Sequence, residues 1–328
     1  MNFHILKLSC LCFISVMLSL CSYAQNVDKT FTSINLKAVQ KKYGLDPSKA
    51  LMKRIDETPE SVLKMFRDAE MNPTEHRLTK EEESIVASAI AALPPLHRRV
   101  LKQHLKSISF LDNMPNTALT SPITNNDGVD LYHITFRAGI LHQSISEWIT
   151  EKENTCFSAC DPTITISIQA GLLKALTYVF MHEGTHVVDG SINLISADSI
   201  GGKPHMNEFT RQFSNRIWKN INNIIWPVRD SLVLKSRFRL GGERFSNSDA
   251  LKVYAELVNT PFTSLYSTAS WHEDLAELLT VYHLTSVRHQ PFRIIIRQSG
   301  KIVNLFEPMK SALVLSRLKL LSRFYSNA

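Results

Sequence analysis

The chain has 328 residues, 44% of them hydrophobic, and a formal net charge of +7 at pH 7. That length is ample for a sizeable core and for one or two domains. The basic residues are spread out and no nucleic-acid-binding motif accompanies them, so we expect a solvated basic surface and no nucleic acid partner.

The first 24 residues have the features of an export signal. Lys7 precedes an uncharged, mostly apolar run over residues 8–20, and Ser22-Tyr23-Ala24 has the small-x-small pattern of a cleavage site. The apolar run is short for a membrane span, and no later segment is long and apolar enough. We predict cleavage after Ala24 and export to the periplasm or the medium. Lipid attachment at Cys21 and an uncleaved anchor are the alternatives.

Residues 25–110 form a predicted helical N-terminal region. Thr58-Pro59 is typical of a helix start and predicts a helix to about Glu70. Thr79 and Glu82 form a predicted capping box that opens a second helix. Pro94-Pro95 ends that helix, and a basic helix follows over residues 96–105. Whether this region is a pro-segment, a substrate-binding part or a part of the catalytic fold stays open.

Residues 111–328 form the predicted catalytic domain. A short strand is expected over Ile108–Leu111, followed by a loop rich in Asn, Thr and Pro over Asn113–Asp127. Alternation of side chains predicts strands at Leu131–Arg137 and Thr163–Ile168. The sequence therefore predicts an α+β protein that is predominantly helical, with a small sheet beside a later helix.

Two cysteines remain after the predicted cleavage, because three of the five lie in the signal. In an exported protein Cys156 and Cys160 are expected to form a disulfide that closes a short loop. Two free thiols on a helical turn are the alternative.

The segment His182-Glu183-Gly184-Thr185-His186 is an H-E-x-x-H motif. On a helix, positions i and i+4 share one face, so both imidazoles can bind one metal ion while Glu183 approaches a metal-bound water. The alternative is an amphipathic helix with two surface histidines. Apolar residues at helical spacing upstream favour burial and the metal site; they are Leu172, Ala175, Leu176, Val179 and Phe180.

A catalytic zinc ion usually has three protein ligands, so a third partner is needed. Asp189 and Ile192 stand where metzincins have a glycine and a histidine, which excludes that class. The other large class uses a glutamate on a later helix, and Glu273 and Glu277 share one helical face. An ordinary surface helix with an acidic first turn is the alternative.

These motifs together resemble the lethal-factor-like zincins, which include the catalytic domain of anthrax lethal factor and the Pro-Pro endopeptidases. The resemblance rests on His182-Glu183-x-x-His186, Tyr266 and Glu273-x-x-Ala276-Glu277, about 25 residues within roughly 110. It implies a zincin-like fold, with Glu273 as third zinc ligand, Glu277 behind the ligands and Tyr266 stabilising the transition state. The spacing from His186 to Glu273 is longer than in the small members of that family.

The expected chemistry is hydrolysis by one zinc ion per chain. Zinc lowers the pKa of bound water, and Glu183 takes the proton as general base. Tyr266 would stabilise the developing oxyanion. Glu277 and Asp189 are candidates to accept hydrogen bonds from the ligand imidazoles. Asp189 is equally compatible with a helix C-terminus followed by Gly190.

The sequence therefore predicts an exported zinc metallopeptidase of the H-E-x-x-H…E type that acts on a peptide or protein substrate. The first alternative is a non-catalytic exported binding protein on a zincin scaffold, against which the intact Glu183 and Tyr266 argue. A hydrolase of non-peptide amides is a further alternative. The sequence leaves the cleaved bond and the oligomeric state open.

Overall fold

The computed structural model describes residues 32–123, 129–200, 203–226 and 231–326. Over these ranges the protein is a mixed α+β structure, about half helical, with small sheets. No helix among the described residues is long and apolar enough to cross a membrane. The predicted signal over residues 1–24, with Cys21, lies outside these ranges.

Four α-helices lie in the described residues of the N-terminal part of the chain. They are α1 (Thr32–Lys42), α2 (Glu60–Asp68), α3 (Lys80–Ala92) and α4 (Pro95–His104). The predicted capping box of α3 is confirmed. The Thr79 side chain accepts a hydrogen bond from the Glu82 backbone N–H, and the Glu82 carboxylate accepts one from the Thr79 N–H. Two of the N–H groups that a helix start leaves unpaired are thereby satisfied.

A four-stranded sheet includes the strand that follows α4 directly. Its strands are β1 (Thr74–Glu75), β2 (Leu105–Asp112), β3 (Ala118–Pro122) and β4 (Tyr132–Arg137), in the order β1-β2-β4-β3. β2 and β4 are parallel, and β3 is antiparallel to β4. The prediction of a loop over Asn113–Asp127 is wrong for Ala118–Pro122, which form β3. Tertiary pairing with β4 holds this polar segment extended, which its own composition did not indicate.

The next part of the chain contains the motif helix. Its elements are α5 (Ile145–Asn154), β5 (Phe157–Ser158), β6 (Ile164–Gln169), α6 (Ala175–Ile192), β7 (Ala197–Ile200), β8 (Lys203–Met206) and α7 (Glu208–Ser214). The two strands predicted before the motif exist as β4 and β6. They lie in different sheets, because α5 separates them in the chain and β6 pairs with a later strand.

The C-terminal part supplies the second half of the site. Its elements are β9 (Phe245–Ser246), α8 (Ala250–Val258), α9 (Trp271–Tyr282), β10 (Arg293–Gln298), β11 (Lys301–Phe306) and α10 (Ala312–Leu315). β10 pairs antiparallel with both β6 and β11. A π-helical turn, His283–Val287, continues α9.

Helix α6 runs through the centre of the main core. Most of its residues are buried, because α3, α4, α5 and α9 all pack against it. A helix that is surrounded in this way is apolar around most of its circumference. Gly184 is the point of closest approach to α4: a Cβ there would lie 3.0 Å from His97 Cδ2. The glycine inside the motif is therefore explained by packing.

Two of the N-terminal helices, α3 and α4, belong to this same core, whereas the buried residues of α1 and α2 lie in two smaller clusters. The buried cluster extends from Leu51 to Phe324 and includes residues of α3, α4, β2 and α6. The sequence-derived division between residues 110 and 111 falls inside β2. Removing the N-terminal region would accordingly expose the side of α6 that α3 and α4 cover.

Cys156 and Cys160 are free thiols, in contrast to the disulfide predicted from the sequence. Cys156 is buried, whereas Cys160 is exposed. The residues between them form β5, which pairs with β9, and the Cys160 N–H is bonded to Ser158 O and to Asn247 Oδ1. The extended segment directs the two thiols to different environments, whereas a disulfide needs their Cβ atoms about 4 Å apart.

Candidate metal centre

Helix α6 presents both motif histidines toward one point. Their Nε2 atoms are 3.2 Å apart, and their ring centroids are 4.9 Å apart. The side chain of His182 is 6% exposed and that of His186 is 21% exposed. The pair therefore lies at the bottom of an opening to solvent, with His182 on the inner side.

Helix α9 brings Glu273 to the same point. Its Oε2 lies 2.9 Å from His182 Nε2 and 3.5 Å from His186 Nε2. The helix starts one turn earlier, where the Ser270 side chain accepts a hydrogen bond from the Glu273 backbone N–H. The structure thus brings together the three residues that the sequence analysis selected as metal ligands.

The spacing of these three atoms fits a tetrahedral metal site. With metal–ligand bonds of about 2.0–2.1 Å, two ligand atoms of a tetrahedron are about 3.3 Å apart. The observed separations of 2.9, 3.2 and 3.5 Å lie on both sides of that value. Two imidazoles and one carboxylate are also a donor set found in catalytic zinc sites. The residues present therefore fit a zinc ion.

The charges around the centre favour a cation. Burial lowers the pKa of His182, but hydrogen bonds to Glu273 and Glu277 and their charges outweigh burial and raise that pKa to about 9. For Glu273, burial would raise the pKa, yet His186 and His182 hold it well below its usual value. Both shifts favour the charged forms, so without metal we expect His182 to be protonated at neutral pH. A metal cation can take the place of that proton.

Glu277 lies one turn further along α9, behind His182. Its Oε1 is 3.2 Å from His182 Nδ1, and it also accepts hydrogen bonds from Tyr178 Oη at 2.8 Å and Ser264 Oγ at 2.6 Å. Burial would raise the pKa of Glu277, but Lys152, His182 and Ser264 lower it to about 2. An ionised carboxylate 3.2 Å from Nδ1 favours the tautomer that carries the proton there, which would leave Nε2 to bind metal.

Glu183 is half-buried and is held by the sheet. Its Oε2 accepts a hydrogen bond of 2.6 Å from Thr120 Oγ1, on β3. Among the described residues, no other side chain donates a hydrogen bond to this carboxylate. Thr120 therefore fixes the position of the Glu183 side chain. The bond ties the general-base candidate to β3, and the charge of Glu183 raises the pKa values of His186 and Tyr266.

Tyr266 lies beside the ligands at the start of a short 3₁₀ helix, Tyr266–Thr268. Its ring centroid is 5.7 Å from that of His182. Burial raises the pKa of the phenol well above its usual value, and the carboxylates of Glu273, Glu183 and Glu277 raise it further. The hydroxyl consequently keeps its proton at neutral pH and can donate a hydrogen bond.

Of the two roles left open for Asp189, its contacts are those of a residue near the C-terminal end of α6. Its Oδ1 accepts a hydrogen bond of 2.7 Å from the Ile195 backbone N–H, and its Oδ2 lies 2.5 Å from His272 Nδ1. Among the described contacts it has none with His182 or His186. The helix continues past it to Ile192, so Asp189 closes the turn after α6 and ties it to the start of α9.

Several residues around the centre had no sequence motif to reveal them. Tyr178 is four residues before His182 on the same helical face, a spacing that could have indicated it. Thr120 lies in the segment that was predicted to be a loop. The others come from distant parts of the chain; they are Lys152, Phe238 and Ser264.

Comparison with known proteins gave no match: no family model, no curated protein and no solved structure is similar to this chain.

Proposed function

We propose that this protein is an exported zinc-dependent metallopeptidase that binds one zinc ion through His182, His186 and Glu273. The observation that carries the proposal is the convergence of these three ligand atoms within 4.8 Å of one another, with Glu183 on the neighbouring helical position. The arrangement resembles that of the lethal-factor-like zincins, and the mixed α+β fold is compatible with a zincin-like domain.

When bound, zinc would supply a Lewis acid that activates a water molecule and polarises the carbonyl of the scissile bond. Glu183 would accept the proton of the attacking water and transfer it to the leaving amine. Its hydrogen bond to Thr120 supports this role, because it orients one carboxylate oxygen and leaves the other to act as base.

Tyr266 would donate a hydrogen bond to the oxygen that becomes negatively charged as water attacks. A protonated phenol is required for this role, and the raised pKa of Tyr266 supports it. A donor that is already in place gains strength as charge develops on the acceptor, so its contribution falls on the transition state.

The edge strand β3 offers a way to bind an extended peptide. Within the part of the chain that the structure describes, β3 pairs with β4, and no strand pairs with its other edge. An added strand would satisfy the free backbone groups of β3. Because Thr120 of β3 contacts Glu183, a peptide on that edge would lie beside the base. This placement favours a peptide over a small amide as substrate.

Cleavage of a peptide library by the mature, zinc-loaded protein, read by mass spectrometry, tests the proposal. We expect cleavage that a chelator abolishes and zinc restores, and Glu183→Gln should retain zinc and lose at least about 1,000-fold in rate. Glu83→Gln on the exposed face of α3 is the matched control, with unchanged rate.

Two outcomes would contradict the proposal. Full activity in Glu183→Gln would exclude the mechanism. A zinc-loaded wild-type protein that cleaves no library peptide would favour the binding-protein alternative, and cleavage of small amides alone would favour the non-peptide alternative.

A further inference from the structure

Lys152 of α5 places its ammonium inside a group of aromatic rings beside the candidate metal centre. Its Nζ lies 3.4 Å from the ring centroid of Tyr266, 5.4 Å from that of Trp148 and 5.8 Å from that of Phe238. A cation within about 6 Å of an aromatic face is attracted by the ring quadrupole. We call these three rings the Lys152 cage.

The Lys152 ammonium occupies the cage, and the carboxylate of Glu277 balances its charge. The Lys152 side chain is 21% exposed, and its Nζ lies 4.0 Å from Glu277 Oε1. The ammonium therefore has an aromatic face on one side and a buried carboxylate on the other. A substrate anion would have to compete with Glu277, so we do not interpret Lys152 as a substrate-binding cation.

The position of the Tyr266 ring depends on this cage. Lys152 covers its face, and the Phe238 ring meets it edge-on, at 5.0 Å and an interplanar angle of 74°. Because Tyr266 lies at the first residue of a single short turn, its own backbone provides little constraint on the ring. Contacts with other side chains must fix the direction of the hydroxyl.

The segment that carries Phe238 is itself anchored to both sides of the site. Arg237 donates a hydrogen bond of 2.9 Å to Thr155 O, just after α5, and Arg239 donates to Thr268 O and Asn222 O. Phe238 lies between these two anchors. The cage therefore joins α5, the segment of Phe238 and the Tyr266 turn, and hydrogen bonds hold that segment in place on both sides of Phe238.

We propose that Lys152 is a positioning residue that holds the Tyr266 ring, and with it the hydroxyl, in the orientation that reaches the reacting carbonyl. The inference rests on the proposed function, because Tyr266 acts on a substrate only if the centre is catalytic. Lys152 acts through Tyr266 and touches neither the ligand atoms nor the substrate.

Kinetics of single and double variants test this role. A displacement of about 1 Å in a catalytic group can cost about 100-fold in rate. With the protein saturated with zinc, we expect Lys152→Met to lower kcat about 10- to 100-fold with KM unchanged, and Lys152→Arg, which can also stack on Tyr266, to recover most of the loss. Lys152→Met should have no further effect in a Tyr266→Phe background. Lys41→Met, exposed on α1, is the matched control.

A second measurement does not depend on activity. In ¹³C-tyrosine-labelled protein the Tyr266 ring resonance, assigned by its loss in Tyr266→Phe, should shift in Lys152→Met with and without zinc. If methionine prevents folding, Lys152→Gln replaces it, since glutamine removes the charge and keeps a polar end at this partly exposed position.

An unchanged kcat or resonance in Lys152→Met, or rate losses that multiply in the double variant, would overturn the inference. Those results leave wild-type hydrolysis intact and therefore concern Lys152 alone. A wild-type protein without hydrolysis would instead reject the proposed function, while the resonance would still report whether Lys152 holds the ring.

Discussion

Glu277 Oε1 lies 3.2 Å from His182 Nδ1, on the side of the imidazole opposite to the candidate metal ligands. The four-residue spacing between Glu273 and Glu277 thus puts two carboxylates on the two nitrogens of one histidine. One carboxylate is placed to share a metal with His182, and the other is placed to orient it.

Glu277→Gln should weaken zinc binding about 10- to 100-fold, which is the usual effect of losing a partner that orients a ligand. The amide can accept from His182 or donate to it, so the tautomer that exposes Nε2 is no longer enforced. Competition with a chromophoric chelator measures the change. An affinity equal to that of the Glu83→Gln control would show that Glu277 does not orient His182.

Tyr266→Phe should lower kcat about 100-fold or more while zinc content and KM stay close to those of the wild type. The change removes one hydrogen-bond donor to the developing oxyanion and leaves the ring in its cage. Steady-state kinetics on a cleaved library peptide provide the measurement, with Tyr43→Phe as control. A change confined to KM would place Tyr266 in ground-state binding instead.

Without metal, the protein should become less stable as the pH rises from about 6.5 to about 9. The folded-state pKa of His182, about 9, lies above its ordinary value of 6.5. Its contribution to stability, on the order of 3 kcal/mol, is therefore complete below pH 6.5 and is lost as the pH passes through 9. Thermal unfolding in the presence of a chelator at several pH values measures this dependence.

The zinc-loaded protein should lack that decline, since the metal occupies the place of the proton. His182→Gln is the control for the metal-free series, and it should show a flatter dependence between the same pH values. A wild-type and a variant series with the same slope would mean that His182 is not protonated in the folded protein.

Gly184→Val should destabilise the fold by about 1–3 kcal/mol, because the added side chain overpacks the contact between α6 and α4. Its Cβ would lie 3.0 Å from His97 Cδ2 and 3.5 Å from Leu101 Cδ1. Urea unfolding compares it with Gly139→Val, where a Cβ meets no atom within 4 Å. Equal losses at the two positions would exclude close packing as the reason for Gly184.

The parts of the fold that are encoded locally could be predicted. The capping box of Thr79 and Glu82 started α3 at the expected residue, since its bonds join residues three apart. The motif helix and the helix of Glu273 followed from apolar spacing. The convergence of the three ligands was inferred from the chemistry that a metal needs, not from any pattern that connects them.

Features that depend on distant partners were missed or wrong. β3 is extended because β4 pairs with it. The hairpin of β10 and β11 was missed, although its sequence carries a signal: the apolar run Ile294, Ile295 and Ile296 precedes a turn at Ser299-Gly300. Asp189 binds His272, 83 residues away, which no spacing within α6 could reveal.

Zinc stoichiometry by native mass spectrometry tests the central claim most directly. Metal-free mature protein, supplied with limiting zinc and then desalted, should carry one ion per chain. His186→Asn and Glu273→Gln should carry almost none, while the control His289→Asn should match the wild type. A wild-type protein that takes up no zinc, or ligand variants that retain one ion per chain, would contradict the assignment of His182, His186 and Glu273 as the metal centre.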